Sequence, residues 1–121
     1  MKKQNETTSF GVIGLGRFGS ALVKTLAEAG KEVIAVDKSE QAVKAVRKYT
    51  DFAFVVDSLS QETLEETGIQ NCNTVTICIG EAIDMSVLTT MLVIKMGIPH
   101  VISKATSTEH GEVLKRLGAT V

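Results

Sequence analysis

The sequence predicts an α/β fold: a doubly wound parallel sheet of about six strands with helices on both faces. Three observations predict it. Short runs rich in Val and Ile recur with little polar alternation, as in strands covered on both faces. Longer stretches with apolar residues three and four apart separate those runs. Gly30, Gly68, Gly97 and Gly118 each follow a helical stretch, where a left-handed C-terminal residue is wanted. Strand and helix alternating at this spacing imply a parallel sheet with right-handed crossovers.

The elements follow in order. The first strand is Phe10–Ile13, and its helix carries Phe18, Leu22, Leu26 and Ala29. The second strand is Val33–Val36. Ser39 then caps a helix marked by Ala42, Val46 and Tyr49. The third strand is Phe52–Val56. Ser58 or Ser60 caps a less regular helix through Leu59, Thr63 and Glu66. The fourth strand is Val75–Ile79, followed by a helix between Ala82 and Met96. Its apolar residues cover more than one stripe, so more than one side should be buried. One side would meet the sheet and the rest another protein chain. The fifth strand is Val101–Ser103. Thr106 and Glu109 read as a capping box for a fifth helix with Val113, Leu114 and Leu117. A sixth strand begins at Ala119.

Composition narrows the function. The 121 residues bound the chain to one domain with little room for a second. The 13 basic and 14 acidic residues are scattered, without the basic face of a nucleic-acid binder. Cys72 and Cys78 cannot form a disulfide framework, and Cys78 sits in an apolar strand as a structural thiol. No Cys and His pair has metal-ligand spacing, so no metal site is expected. Residues 1–8 form a polar tail without the apolar core of a signal peptide, and no run is long enough to span a membrane. A cytoplasmic protein is expected. The chain stops as a strand begins, so it reads as a fragment of a longer protein.

The chemistry is carried by Gly14-Leu15-Gly16-Arg17-Phe18-Gly19, a G-x-G-x-x-G run. It follows an apolar strand and opens an amphipathic helix, the context this motif requires. Gly14 permits the tight turn, Gly16 lets the backbone approach a diphosphate, and Gly19 lets helix pack close to strand. The helix N-terminus adds free N–H groups and a positive dipole end. Asp37 ends the second strand, 18 residues after Gly19. A carboxylate there accepts hydrogen bonds from ribose hydroxyls and repels a 2′-phosphate, which disfavours NADP. It also suits capping of the next helix, and both roles can coexist. Lys38 and Ser39 lie beside the ribose or adenine edge.

Ligands of open α/β sheets bind at the carboxyl ends of strands. Asp57 and Ser58 follow the third strand, where adenine could lie or Asp57 could cap a helix. Ile79, Gly80 and Glu81 follow the fourth, and Gly80 allows close approach. Lys104 ends the fifth, where its cation, like that of Arg17, suits a terminal phosphate. His110 is near enough in sequence to join them, or it is a surface histidine.

No acid/base group or substrate pocket of a dehydrogenase fits in this length, so no catalytic residue is assigned. The alternatives to a regulatory module are the cofactor domain of a truncated NAD-dependent oxidoreductase and a nucleotide-free scaffold.

Residues Phe10 to Gly19, Val36-Asp37, Asp57-Ser58 with Glu62-Thr63-Leu64, Gly68-Ile69, Ile79-Gly80 and Lys104-Ala105 resemble the RCK/KTN (TrkA-N) nucleotide-binding domain. The likeness spans essentially the whole chain and extends to the soluble regulatory subunits of Ktr- and Trk-type potassium uptake. It implies a Rossmann-like nucleotide-binding lobe over residues 9–121, lacking the C-terminal lobe. The implied ligands are ATP/ADP or NAD/NADH. Arg17 would meet phosphates, Asp37 the ribose, Asp57 and Ser58 the adenine, and Lys104 with His110 the phosphate end. The implied partners are a membrane potassium transporter subunit and further copies of the chain, as a dimer and then an octameric ring. The location implied is cytoplasmic, at the inner face of the membrane.

Overall fold

A computed structural model describes residues 9–80 and 82–121. The polar tail of residues 1–8 and Glu81 lie outside the described residues.

The chain folds as β1 Ser9–Ile13, α1 Arg17–Glu28, β2 Glu32–Asp37, α2 Glu40–Val46, β3 Ala53–Val55, α3 Gln61–Glu66, β4 Thr74–Ile77, α4 Ile83–Lys95, β5 His100–Ser103 and α5 Thr108–Leu117. A 3-10 turn at Ile69–Asn71 precedes β4. The strands form one sheet in the order β3-β2-β1-β4-β5, and every pairing is parallel. Beyond β5 only Thr120 pairs, through a single parallel bridge to Ile102. The described sheet therefore has five strands and the start of a sixth. The order reverses between β1 and β4. The carboxyl ends of those two strands border the crevice where ligands of such sheets bind.

Strand alternation divides the core in two. Val12, Val33 and Ala35 join Val23, Val43 and Val46 beneath α1 and α2. Ile13, Val36 and Ile77 join Leu64, Ile69 and Val93 on the other face. Each such side chain contributes about 1.5–3 kcal/mol when fully buried. Gly11 is part of this packing. A Cβ there would stand 2.6 Å from Ile69 Cγ1, so a larger residue would lift the 3-10 turn off β1.

The caps agree with the sequence in part. Ser39 Oγ accepts from Ala42 N–H at α2, and Ser60 Oγ, not Ser58, accepts from Thr63 N–H at α3. The cap of α5 is Ser107, whose Oγ accepts from His110 N–H. The cap expected at Thr106 is thus displaced by one residue: Thr106 turns its hydroxyl as well as its N–H to the His110 ring.

Helix α4 inverts the usual arrangement. Its buried residues are Ser86, Thr89, Thr90 and Val93, while Ile83, Leu88 and Met91 are about half exposed. Three hydroxyls therefore face the interior. Thr89 Oγ1 has no hydrogen-bond partner among the described residues. An unsatisfied buried hydroxyl is costly, and valine has nearly the same shape. Thr89→Val is expected to raise stability by about 1 kcal/mol, read from the urea midpoint. A fall in the midpoint would contradict this.

Candidate functional site

The groove lies at the reversal of strand order. It has a volume of about 1050 Å³ and is lined by the β1–α1 loop, Asp37 and Lys38, Leu59, Cys78 to Gly80, Ala82, Met85 and Lys104. That lies at the upper end of the roughly 300–1,000 Å³ usual for ligand clefts.

The three loop glycines have different physical reasons. Gly14 has φ +100°, and a Cβ on it would sit 2.8 Å from the Cys78 carbonyl oxygen. A Cβ on Gly19 would overlap the Gly14 carbonyl oxygen. A Cβ on Gly16 would meet nothing within 4 Å. Two glycines are thus required by the protein's own packing. The third borders open space in the groove, at the N-cap of α1. Gly16 offers no side-chain cap and the first turn holds no acidic residue. The first-turn N–H groups and the positive end of the helix therefore face the groove. A diphosphate fits that cradle by charge and by room.

Asp37 is tied into the same loop. Its Oδ2 accepts from Leu15 N–H at 2.6 Å, and its Oδ1 from Ser39 N–H at 2.8 Å. A carboxylate has about four lone-pair positions, so two remain for ligand hydroxyls. The Gly14 N–H donates to Val36 O at 2.9 Å, which fixes the turn against the end of β2.

Lys104 also lines the groove, directly after the last residue of β5. Its N–H donates to Ile77 O at 3.0 Å, and its ammonium lies 5.7 Å from the centre of the exposed Phe18 ring. That distance allows a cation–π contact across the mouth of the groove.

The structure brings Gly14, Gly16, Arg17, Phe18, Asp37, Lys38, Ile79, Gly80 and Lys104 into one groove. Gly19 stands directly beneath, against Gly14. Ser39 reaches the site through its bond to Asp37. Asp57 lines a neighbouring cavity of about 800 Å³ with Lys38, Thr63, Glu66 and Thr67, and Lys38 borders both. The Ser58 hydroxyl lies 3.4 Å from Thr63 Oγ1. Ala105 packs near Gly111. His110 does not line the groove: it is buried between Ser86 and Thr106. Sequence reasoning missed Leu15, Leu59, Ala82 and Met85 as wall residues. Leu15 was visible as the loop residue whose N–H faces an acidic strand end.

Cys78 forms part of the floor. Burial pushes its thiol up to about 11, against a smaller lowering by Lys104. Burial likewise pushes Cys72 up to about 11, with Ser9 lowering it and Glu32 raising it. Both thiols stay protonated in the folded chain after those of the unfolded chain ionise, near the ordinary value of 9.0. Their contribution to stability is full below about pH 9 and is lost as the pH rises toward about 11. Urea midpoints at pH 8 and pH 10.5 are expected to fall more for the wild type than for Cys72→Ala/Cys78→Ala. An equal fall would contradict it.

The sheet order, the glycine turn and the acidic end of β2 define a Rossmann-type α/β domain. The chain belongs to the TrkA-N family, whose TrkA-N domain model matches residues 10–121. It is 39% identical over 119 residues to the Ktr system potassium uptake protein C of Bacillus subtilis (strain 168), covering 98% of this chain and 52% of that protein. It is 40% identical over 110 residues to protein A of the same system and organism, covering 91% and 50%. The chain thus spans about half the length of the curated relatives it matches. Among solved structures, the TrkA-N domain of the inner membrane protein ybaL from Escherichia coli aligns with TM-score 0.82 at 15% identity, covering 95% of this chain and 85% of that one. The GsuK channel bound to NAD aligns with TM-score 0.79 at 21% identity, covering 94% and 20%. GsuK bound to ADP aligns with TM-score 0.77 at 20% identity, covering 93% and 29%. At these identities the structures establish the shared fold. Among the described residues no helix is long and apolar enough to cross a membrane.

Proposed function

We propose that this chain is the nucleotide-binding lobe of a cytosolic regulatory subunit that gates a membrane potassium transporter. The observation that carries the reading is the open space above Gly16, at the N-terminus of α1 and beside Asp37. Identity of about 40% with Ktr potassium uptake proteins supports the transport context. The NAD and ADP found in GsuK structures support both ligand classes, ATP/ADP and NAD/NADH.

In this reading Gly16 and the first-turn N–H groups hold the diphosphate. Arg17 and Lys104 bring positive charge to the terminal phosphate. Asp37 takes the ribose hydroxyls on its two remaining lone-pair positions. Lys38, Ser39, Asp57 and Ser58 frame the adenine, and Ile79, Gly80 and Ala105 border the ligand. No catalytic role is assigned. The ligand acts by population shift, moving an assembly only through its differential affinity for two quaternary states. The half-exposed Ile83, Leu88 and Met91 of α4 offer a surface for a second copy of the chain, toward a dimer and an octameric ring.

NAD is expected to bind roughly 30-fold more tightly than NADP, since a 2′-phosphate would meet the Asp37 carboxylate. Asp37→Asn should shrink that ratio to a few-fold. Equal affinities in the wild type would contradict the ribose assignment. The transport role is tested by potassium uptake in cells deleted for the coding sequence. Uptake should fall and be restored by the wild-type gene. Uptake that ignores the gene would overturn it.

A further inference from the structure

Lys104 is bracketed by two polar ties, one buried and one that starts at the exposed Thr106, and both end on α4. On one side, Ser103 Oγ lies 3.0 Å from Thr90 Oγ1. Thr90 spends its only hydroxyl hydrogen on Ser86 O at 2.7 Å, so Ser103 is the donor between the two hydroxyls. On the other side, Thr106 N–H donates to His110 Nδ1 at 3.1 Å. A backbone N–H can only donate, so Nδ1 accepts and the ring proton is assigned to Nε2. Nε2 then donates to Ser86 Oγ at 2.9 Å. Ser86, Thr90 and Ser103 are fully buried and His110 is 3% exposed.

Burying this many polar groups is costly unless each finds its partner. Apolar side chains in the same place would pack but would not fix a hydrogen-bonded register. The register fixed here belongs to the groove. Ser103 immediately precedes Lys104, and Thr106 follows it by two residues. Ser86 immediately follows Met85, which lines the groove. One network therefore holds both the start of α4 and the β5–α5 loop.

We infer that the Ser103–Thr90–Ser86–His110–Thr106 network is a positioning device for Lys104. His110 acts on the ligand through Lys104 and does not touch it. The inference rests on the nucleotide-binding reading of the groove. It assigns the buried histidine a task that its sequence neighbourhood did not suggest.

Ser86→Ala cuts the tie between His110 and α4 while leaving the ring in place, and Thr90→Val cuts the tie to Ser103. His110→Asn keeps an acceptor for Thr106 N–H but is too short to reach Ser86. Amide exchange at Thr106, followed by NMR on the 121-residue chain, is expected to quicken about tenfold in Ser86→Ala and by a similar factor in His110→Asn, since both keep a local acceptor for Thr106 N–H and lose the tie to α4. ATP and NAD are expected to bind Ser86→Ala and Thr90→Val about fivefold more weakly. In a Lys104→Met background the same substitutions should change affinity less than twofold, because their effect runs through the missing ammonium. If Ser86→Ala fails to fold, Thr90→Val carries the comparison.

Unchanged Thr106 exchange in a folded Ser86→Ala, or an equal affinity loss with and without Lys104, would overturn the inference. A wild-type chain that binds neither nucleotide contradicts the functional reading instead. The anchoring is then judged by the exchange arm alone.

Discussion

Gly19→Ala is expected to destabilise the fold by about 3 kcal/mol or more, at the upper end of overpacking costs. The added methyl would overlap the carbonyl oxygen of Gly14. That oxygen belongs to backbone held on two sides: Gly14 N–H is bonded to Val36 O, and Leu15 N–H to Asp37. No rotamer change can relieve the overlap, so α1 must lift from the sheet. Lifting it would uncover Val23, which is completely buried beneath the helix. With a total stability of about 5–15 kcal/mol for a domain, this loss is a large fraction. Thermal unfolding should shift down by more than about 10 °C. An unchanged melting temperature would show that the loop is looser than its hydrogen bonds indicate.

Gly16→Val is expected to do the reverse. Its backbone is extended at φ −70°, and a Cβ would meet nothing within 4 Å. Stability should fall by no more than about 1 kcal/mol, since valine is a poorer N-cap than glycine but meets no clash. Ligand binding should not survive. The isopropyl group would occupy the space a diphosphate needs to reach the first-turn N–H groups, and affinity should fall at least about 100-fold. The two glycines stand three residues apart in one motif, yet one serves the fold and the other the ligand.

The motif itself does not separate those roles. Its spacing announces a tight turn and a close helix, and both are present. Only the packing of Gly14 against Cys78, and of Gly19 against Gly14, shows which positions the protein fills by itself. Most of the strand and helix pattern was legible for a similar reason. Runs such as Val33–Val36 alternate between two buried faces, and that burial leaves a continuous apolar signature.

What escaped the sequence depends on contacts between distant segments. Helix α4 reads as apolar all round, but its buried side carries Ser86, Thr89 and Thr90. Hydroxyls signal burial only once their partners are known; those of Ser86 and Thr90 lie on α5 and β5, and Thr89 has none among the described residues. His110 illustrates the same limit. Nearness in sequence to Lys104 suggested a phosphate contact. The α5 helix instead turns its ring inward toward Ser86, 24 residues away. The cap of α5 shifted with it: the Thr106 hydroxyl meets the His110 ring, and Ser107 Oγ starts the helix.

The nucleotide is proposed to sit over the open glycine at the start of α1. Calorimetric titration of the wild-type chain and of Gly16→Val with ATP, ADP, NAD and NADH tests it most directly. Saturable binding of at least one nucleotide to the wild type is expected, with its loss in a Gly16→Val chain that melts within a few degrees of it. Equal binding by both chains, or no binding by the wild type, would contradict it.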